Sequence, residues 1–176
     1  MFENIKNNFP IFEKNPKLIF LDTAASAQKP KSVIESVSNC YSYEYANIHR
    51  GVYKLSNDLT EKFENVRIKT SKYINAENED NIIFTKSATE AINLVASCFS
   101  EKYLNSGDEV LLSYLEHHAN IVPWQLAAEK RGFKIVIVEI NQDGKLDYND
   151  LIKKVNSKTK FISITHMSNV IGSIVD

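Results

Sequence analysis

The sequence predicts an α/β protein: a mostly parallel sheet layered between helices and preceded by a helical segment. Three observations carry this. From Asn81 onward, apolar runs and amphipathic stretches alternate in the order strand, helix, strand, helix, strand, helix, strand. The runs themselves, such as "EVLLS" and "KIVIVEI", are continuous rather than alternating, as expected of strands covered on both faces by helices. Ahead of Asn81 the apolar spacing is mostly helical.

In chain order, "LIFLD" (Leu18 to Asp22) reads as a short strand. "KPKSVIESVSNCYSYEYA" follows, with Val33, Ile34, Val37, Cys40 and Tyr41 at the spacing of one helix face and Pro30 just ahead of it, where proline is tolerated. A polar loop, "NIHRGVYKLSN", leads to a helix over "DLTEKFENVRIKTSKYI", with Leu59, Phe63, Val66, Thr70 and Tyr73 on one side. "NIIFT" is a predicted strand and "ATEAINLVASCFSEKYL" a helix; Gly107 and Asp108 then turn the chain into "EVLLS". "NIVPWQLAAEKRG" predicts a helix ending at Gly132, followed by the strand "KIVIVEI", the turn "DGKL", the helix "DYNDLIKKV" and the strand "KFISITH". No internal repeat or flexible linker interrupts this order.

Composition narrows the function. The 176 residues are 43% hydrophobic and 24% charged, with a net charge of −1. That is ordinary for a globular protein and lacks the basic excess that a nucleic-acid partner requires. No apolar run reaches membrane-spanning length. "MFENIKNNFPIF" has no secretory pattern, and Cys40 and Cys98 have neither disulfide-framework nor metal-type spacing. A reducing cytoplasm is the expectation. Both cysteines fall on predicted helix faces, where the simplest role is that of small buried apolar residues.

In a parallel α/β sheet, ligands bind at the carboxyl ends of the strands. Those ends read "TKSATE", "SYLEHH" and "THMSN". Each has two readings. "SATE" fits a capping box, with Ser87 capping and Glu90 returning the bond. The same helix start offers free N–H groups and a positive dipole end to a phosphate, although the glycines of a nucleotide loop are absent. The adjacent His117 and His118 suit a polar loop bonded to backbone, or an acid–base or cofactor site. Zinc would need two more ligands, and none stands at a helpful spacing. Asn169 alone reads as a turn residue.

Taken together, "FLDTAASAQKP", "NIHRGVYKLS", "TKSATEAINLVA", "EHHANIVPWQ" and "ITHMSNVIG" resemble, in the same order, the Suf-type cysteine desulfurases, fold-type I pyridoxal-phosphate enzymes of the class V aminotransferase family. The resemblance runs from about Leu18 to Gly172. It implies a partial three-layer α/β/α fold-type I large domain over 76–176, truncated at its C-terminal side, after an N-terminal segment with helices and an active-site loop over 1–75. It also implies pyridoxal 5'-phosphate as cofactor. By the same resemblance His117 is catalytic and stacks on the cofactor ring, and Ala88 and Thr89 form the phosphate-binding turn. Asn169 lies near the ring oxygen and the substrate carboxylate, and His49 and Arg50 belong to the active-site loop. Some relatives carry glycine and threonine where this chain has Ser87 and Ala88.

The implied reaction takes sulfur from L-cysteine to a cysteine thiolate, leaving L-alanine and an enzyme persulfide for iron–sulfur cluster assembly. Implied partners are L-cysteine, a sulfur-acceptor protein of the Suf system and a second copy of the chain. Neither nucleic acid nor membrane is among them, and no metal is implied. The family's cofactor-holding lysine and its ring-nitrogen aspartate match no residue here, and neither Cys40 nor Cys98 matches the nucleophilic cysteine. The expectation is therefore an N-terminal fragment, inactive alone. The other readings are a selenocysteine lyase, a different class V enzyme or a non-catalytic fragment.

Overall fold

The computed structural model describes residues 4–176. The chain forms two compact units, the first ending at Ile83 and the second running Phe84–Asp176.

In the second unit the sequence alternation becomes a sheet. Helix α4 is Ala88–Tyr103, β1 Glu109–Ser113, α5 Val122–Arg131, β2 Lys134–Val138, α6 Tyr148–Lys154 and β3 Thr159–Ile162 (α1 to α3 lie in the first unit). The strands pair in parallel in the order β2-β1-β3. Glu109 pairs with Lys134 and Ser113 with Val138, and the register with β3 shifts between Glu109 and Val110. Because side chains alternate along a strand, β1 feeds two cores. Val110 and Leu112 join Ala96, Leu104, Trp124 and Phe133 beneath α4 and α5. Leu111 joins Leu115, Val138 and Leu146 on the other face, where Leu151 of α6 packs. This gives three layers, and it explains why the central strand has no polar alternation: both its faces are covered. Gly132 ends α5 with a left-handed φ of 77°, a conformation that glycine adopts without steric cost.

The first unit is helical. It contains α1 (Pro10–Lys14), α2 (Lys31–Asn39) continuing into a π-type turn over Cys40–Glu44, and α3 (Lys54–Tyr73), which starts four residues before the predicted Asp58. The buried residues of α3 are Ser56 and Ser71 rather than apolar ones. Among this unit's described large apolar side chains only Ile82 is buried, at 6% exposure.

Several expectations are corrected. "LIFLD" forms no strand, and Ile19 and Leu21 are exposed. "NIIFT" is likewise no strand: a 3-10 turn spans Glu79–Asn81, and Ile83 stands 73% exposed. A strand is stable only when paired, and neither segment has a strand beside it among the described residues. The predicted apolar face of α2 is uncovered, with Val33, Ile34, Val37 and Tyr41 exposed. Cys98 is exposed rather than buried, and Cys40 is half-buried.

Candidate functional site

Helix α4 begins where "SATE" places it. Ser87 is the N-cap, and its Oγ accepts the Glu90 N–H at 3.2 Å. The returning bond lands one residue early, because Glu90 Oε2 accepts the Lys86 N–H at 2.8 Å rather than that of Ser87. The first-turn amides of Ala88 and Thr89 have no carbonyl four residues back within the helix. Both residues are exposed, so N–H groups, the Thr89 hydroxyl and the positive helix end are open to an anion. The carboxylate in this turn, Glu90, opposes an anion, but it is turned back onto Lys86. The donor set therefore fits a phosphate.

After β1 the chain turns through Tyr114–Glu116, and His117 becomes the N-cap of a 3-10 turn over His118–Asn120. Its Nδ1 accepts the Ala119 N–H at 3.1 Å. A neutral ring with Nδ1 as acceptor carries its proton on Nε2. The local reading and the site reading are thus compatible: one nitrogen serves the backbone, while the exposed ring keeps a donor for a ligand. His118 lies edge-on to it, the ring centroids 6.1 Å apart. The turn packs against α4.

Asn169 lies in the loop after β3. Ser168 Oγ accepts the Val170 and Ile171 N–H groups, Gly172 N–H bonds to Ser168 O at 2.9 Å, and Met167 bridges Ile174. Asn169 is thereby held at the exposed tip of a closed turn. This loop is tied to the one bearing His117, because Glu116 Oε1 accepts the Thr165 N–H at 2.9 Å. Thr89, His117 and Asn169 all belong to the second unit, the last two on loops leaving the carboxyl ends of β1 and β3.

His49 and Arg50 belong to the first unit. His49 has a φ of 70°, a region few residues other than glycine adopt. Its N–H donates to Thr60 Oγ1 at 2.9 Å, its Nε2 lies 3.5 Å from Glu64 and its ring meets Phe63 edge-on. Ser56 Oγ donates to Asn47 O at 2.6 Å. Ser56, Thr60 and Glu64 are spaced four apart on α3, so one helix face straps down the whole loop. Gly51 is part of the fit: a Cβ there would stand 2.2 Å from Ser56 Oγ. His49 is committed to α3, whereas the exposed Arg50 guanidinium has no ion pair among the described residues.

Reading from sequence missed this strap and a second polar cluster. Glu116, Asn120 and Trp124 also recur every four residues, a spacing that would have put them on one helical face. No cluster of His, Cys, Asp or Glu suited to a metal occurs among the described residues, and no helix there is long and apolar enough to cross a membrane.

Known proteins match this architecture. The aminotransferase class-V family profile matches residues 19–176. A cysteine desulfurase named SufS from Plasmodium falciparum (isolate 3D7) is 46% identical over 98% of this chain and 32% of its own length. A cysteine desulfurase from Salmonella newport (strain SL254) is 40% identical over 97% of this chain and 43% of its own length. Among solved structures, the apo cysteine desulfurase from Thermococcus onnurineus NA1 superposes with a TM-score of 0.90 at 34% identity, covering 98% of this chain and 42% of that one. The chain thus spans about a third to two-fifths of the length of the relatives it matches, and its fold is a partial fold-type I domain. With the profile covering nearly all of it, this chain belongs to the aminotransferase class-V family.

Proposed function

We propose that this chain supplies the front part of the cofactor site of a pyridoxal-phosphate-dependent cysteine desulfurase. The whole protein takes sulfur from L-cysteine onto a cysteine thiolate, releasing L-alanine, and passes it to a Suf-type acceptor protein for iron–sulfur clusters. It works as a homodimer. The observation that carries the reading is the pairing, in one unit, of an α4 start with free first-turn amides and an exposed histidine ring whose Nδ1 is taken by the Ala119 N–H.

Pyridoxal phosphate, when bound, supplies an electron sink. The residues of this chain bind and orient. Amides of Ala88 and Thr89, with the Thr89 hydroxyl, hold the phosphate dianion at the helix end. The exposed His117 ring would lie against the cofactor ring, exclude water from that face and offer Nε2 for proton transfer. The Asn169 amide donates to the phenolic oxygen or substrate carboxylate. Arg50 is the exposed cation of its loop and could meet a carboxylate in a two-pronged contact.

Pyridoxine 5'-phosphate tests this directly, because it lacks the aldehyde that would label surface lysines. Trp124 is the chain's single tryptophan and reports binding by fluorescence. Saturable quenching, weakened about tenfold or more by His117→Ala and by Thr89→Ala, is the expected result. Quenching that both variants leave unchanged would refute the assignment.

A further inference from the structure

We propose that Glu116, acting with Asn120, is a positioning residue that locks the loop after β1 to the loop after β3 and so fixes where His117 and Asn169 stand relative to each other. The inference rests on the cofactor reading of His117 for its purpose, but not for its geometry.

Glu116 is half-buried and both its oxygens are used. Oε1 accepts the Ser113 hydroxyl at 2.6 Å and the Thr165 N–H at 2.9 Å, while Oε2 accepts Asn120 Nδ2 at 2.7 Å. The buried Asn120 in turn gives Nδ2 to Ser163 O at 3.3 Å, and its Oδ1 accepts the Ser163 hydroxyl at 2.7 Å and Trp124 Nε1 at 3.2 Å. Three of its partners fit only one orientation of the Asn120 amide: a flip would set an N–H against Trp124 Nε1 and an oxygen against Glu116 Oε2 and Ser163 O, while the Ser163 hydroxyl accommodates either. A carboxylate taken from water is tolerated only when its oxygens are satisfied this fully. The charge also strengthens each bond it accepts.

The cluster joins residues 43 and 49 positions apart. It reaches into the chain on both sides of His117: Glu116 precedes that residue, and Asn120 closes the 3-10 turn whose Ala119 N–H holds His117 Nδ1. Nothing in the proposed chemistry requires Glu116 to touch the cofactor. Its role is to hold the two ligand-facing loops at one spacing.

The test compares the unmodified 176-residue chain with Glu116→Ala. Amide hydrogen exchange at Thr165 is expected to accelerate about tenfold or more, while Lys134, whose N–H bonds to Asp108 O at 2.8 Å at the other end of the sheet, stays unchanged. Ring nitrogen chemical shifts of His117 are expected to show the Nε2–H tautomer in the unmodified chain and an average of both tautomers in the variant. Glu116→Gln guards against a variant that does not fold. It keeps the volume and one acceptor but sets donor against donor at Asn120, so Thr165 exchange should rise at least about threefold and less than in Glu116→Ala. Unchanged Thr165 exchange in both variants, absent protection in the unmodified chain, or an unmoved tautomer signature would overturn the proposal. If His117→Ala and Thr89→Ala both leave pyridoxine phosphate binding intact while Glu116→Ala still frees Thr165, the cofactor reading fails and the lock stands.

Discussion

His117 divides its ring between the fold and the solvent, and its neighbour does not. Nδ1 is spent on the Ala119 N–H, which fixes Nε2 as the outward donor; His118 is part of the turn that His117 caps. In the complete enzyme, His117→Ala should lower turnover about a hundredfold or more, the usual cost of losing a positioned acid–base group, and His118→Ala less than about tenfold. Alanine release from cysteine measures both; equal losses would contradict the assignment. A second residue-scale prediction concerns Asp150. The hydrogen bond from Lys154 Nζ, then that from the Glu139 N–H, hold its carboxyl below the ordinary carboxylate range despite opposing desolvation. A depressed carboxylate contributes stability that is complete above its unfolded pKa of about 3.9 and is lost as pH falls through the lower folded value. Asp150→Asn should therefore destabilise the chain at neutral pH and flatten the acid limb of its stability curve below about pH 4. Denaturant midpoints measured from pH 2 to pH 7 would reveal an unchanged limb if the bonds contribute nothing.

At the scale of elements, β1 and β3 make opposite demands. Val110, Leu111 and Leu112 of β1 are fully buried, whereas Ile162 of β3 is 46% exposed. Leu112→Ala should cost about 2–5 kcal/mol, the usual range for emptying a packed core position, and Ile162→Ala less than about 1 kcal/mol; urea unfolding separates the two. Helix α4 depends instead on its cap. Ser87→Ala removes the acceptor for the Glu90 N–H and should cost about 1 kcal/mol. Because Glu90 also grips Lys86, the helix start should persist in that variant, visible as retained helical circular dichroism below the unfolding midpoint.

Both units expose large apolar side chains. In the first unit, Ile19, Leu21, Tyr41, Tyr43, Tyr45, Val52 and Tyr73 are exposed. In the second, β3 lies at the end of the strand order. Patches and edges of this kind mark interaction sites or templates for association. The 176-residue chain should therefore self-associate as its concentration rises, and sedimentation velocity across a hundredfold range checks this; one monomeric boundary throughout would contradict it. With cofactor added, the chain alone should release no alanine from cysteine above the free-cofactor rate, because it spans only about a third to two-fifths of the relatives it matches.

The sequence by itself determined what depends on near neighbours. The start of α4 follows from Ser87 and Glu90 three positions on, and the end of α5 follows from Gly132. The positions of Thr89 and His117, at a helix start and a post-strand loop, were legible for the same reason. Tertiary structure alone decided which apolar runs become strands. "LIFLD" and "NIIFT" look as strand-like as "EVLLS", but only the last finds partners on both sides, and strand stability resides in pairing rather than in the run. It also decided what the polar residues do. Glu116 meets Thr165, and Asn120 meets Ser163, across α5, β2, α6 and β3. Such bonds have no local periodicity, because they exist only once the two strand ends have been brought side by side.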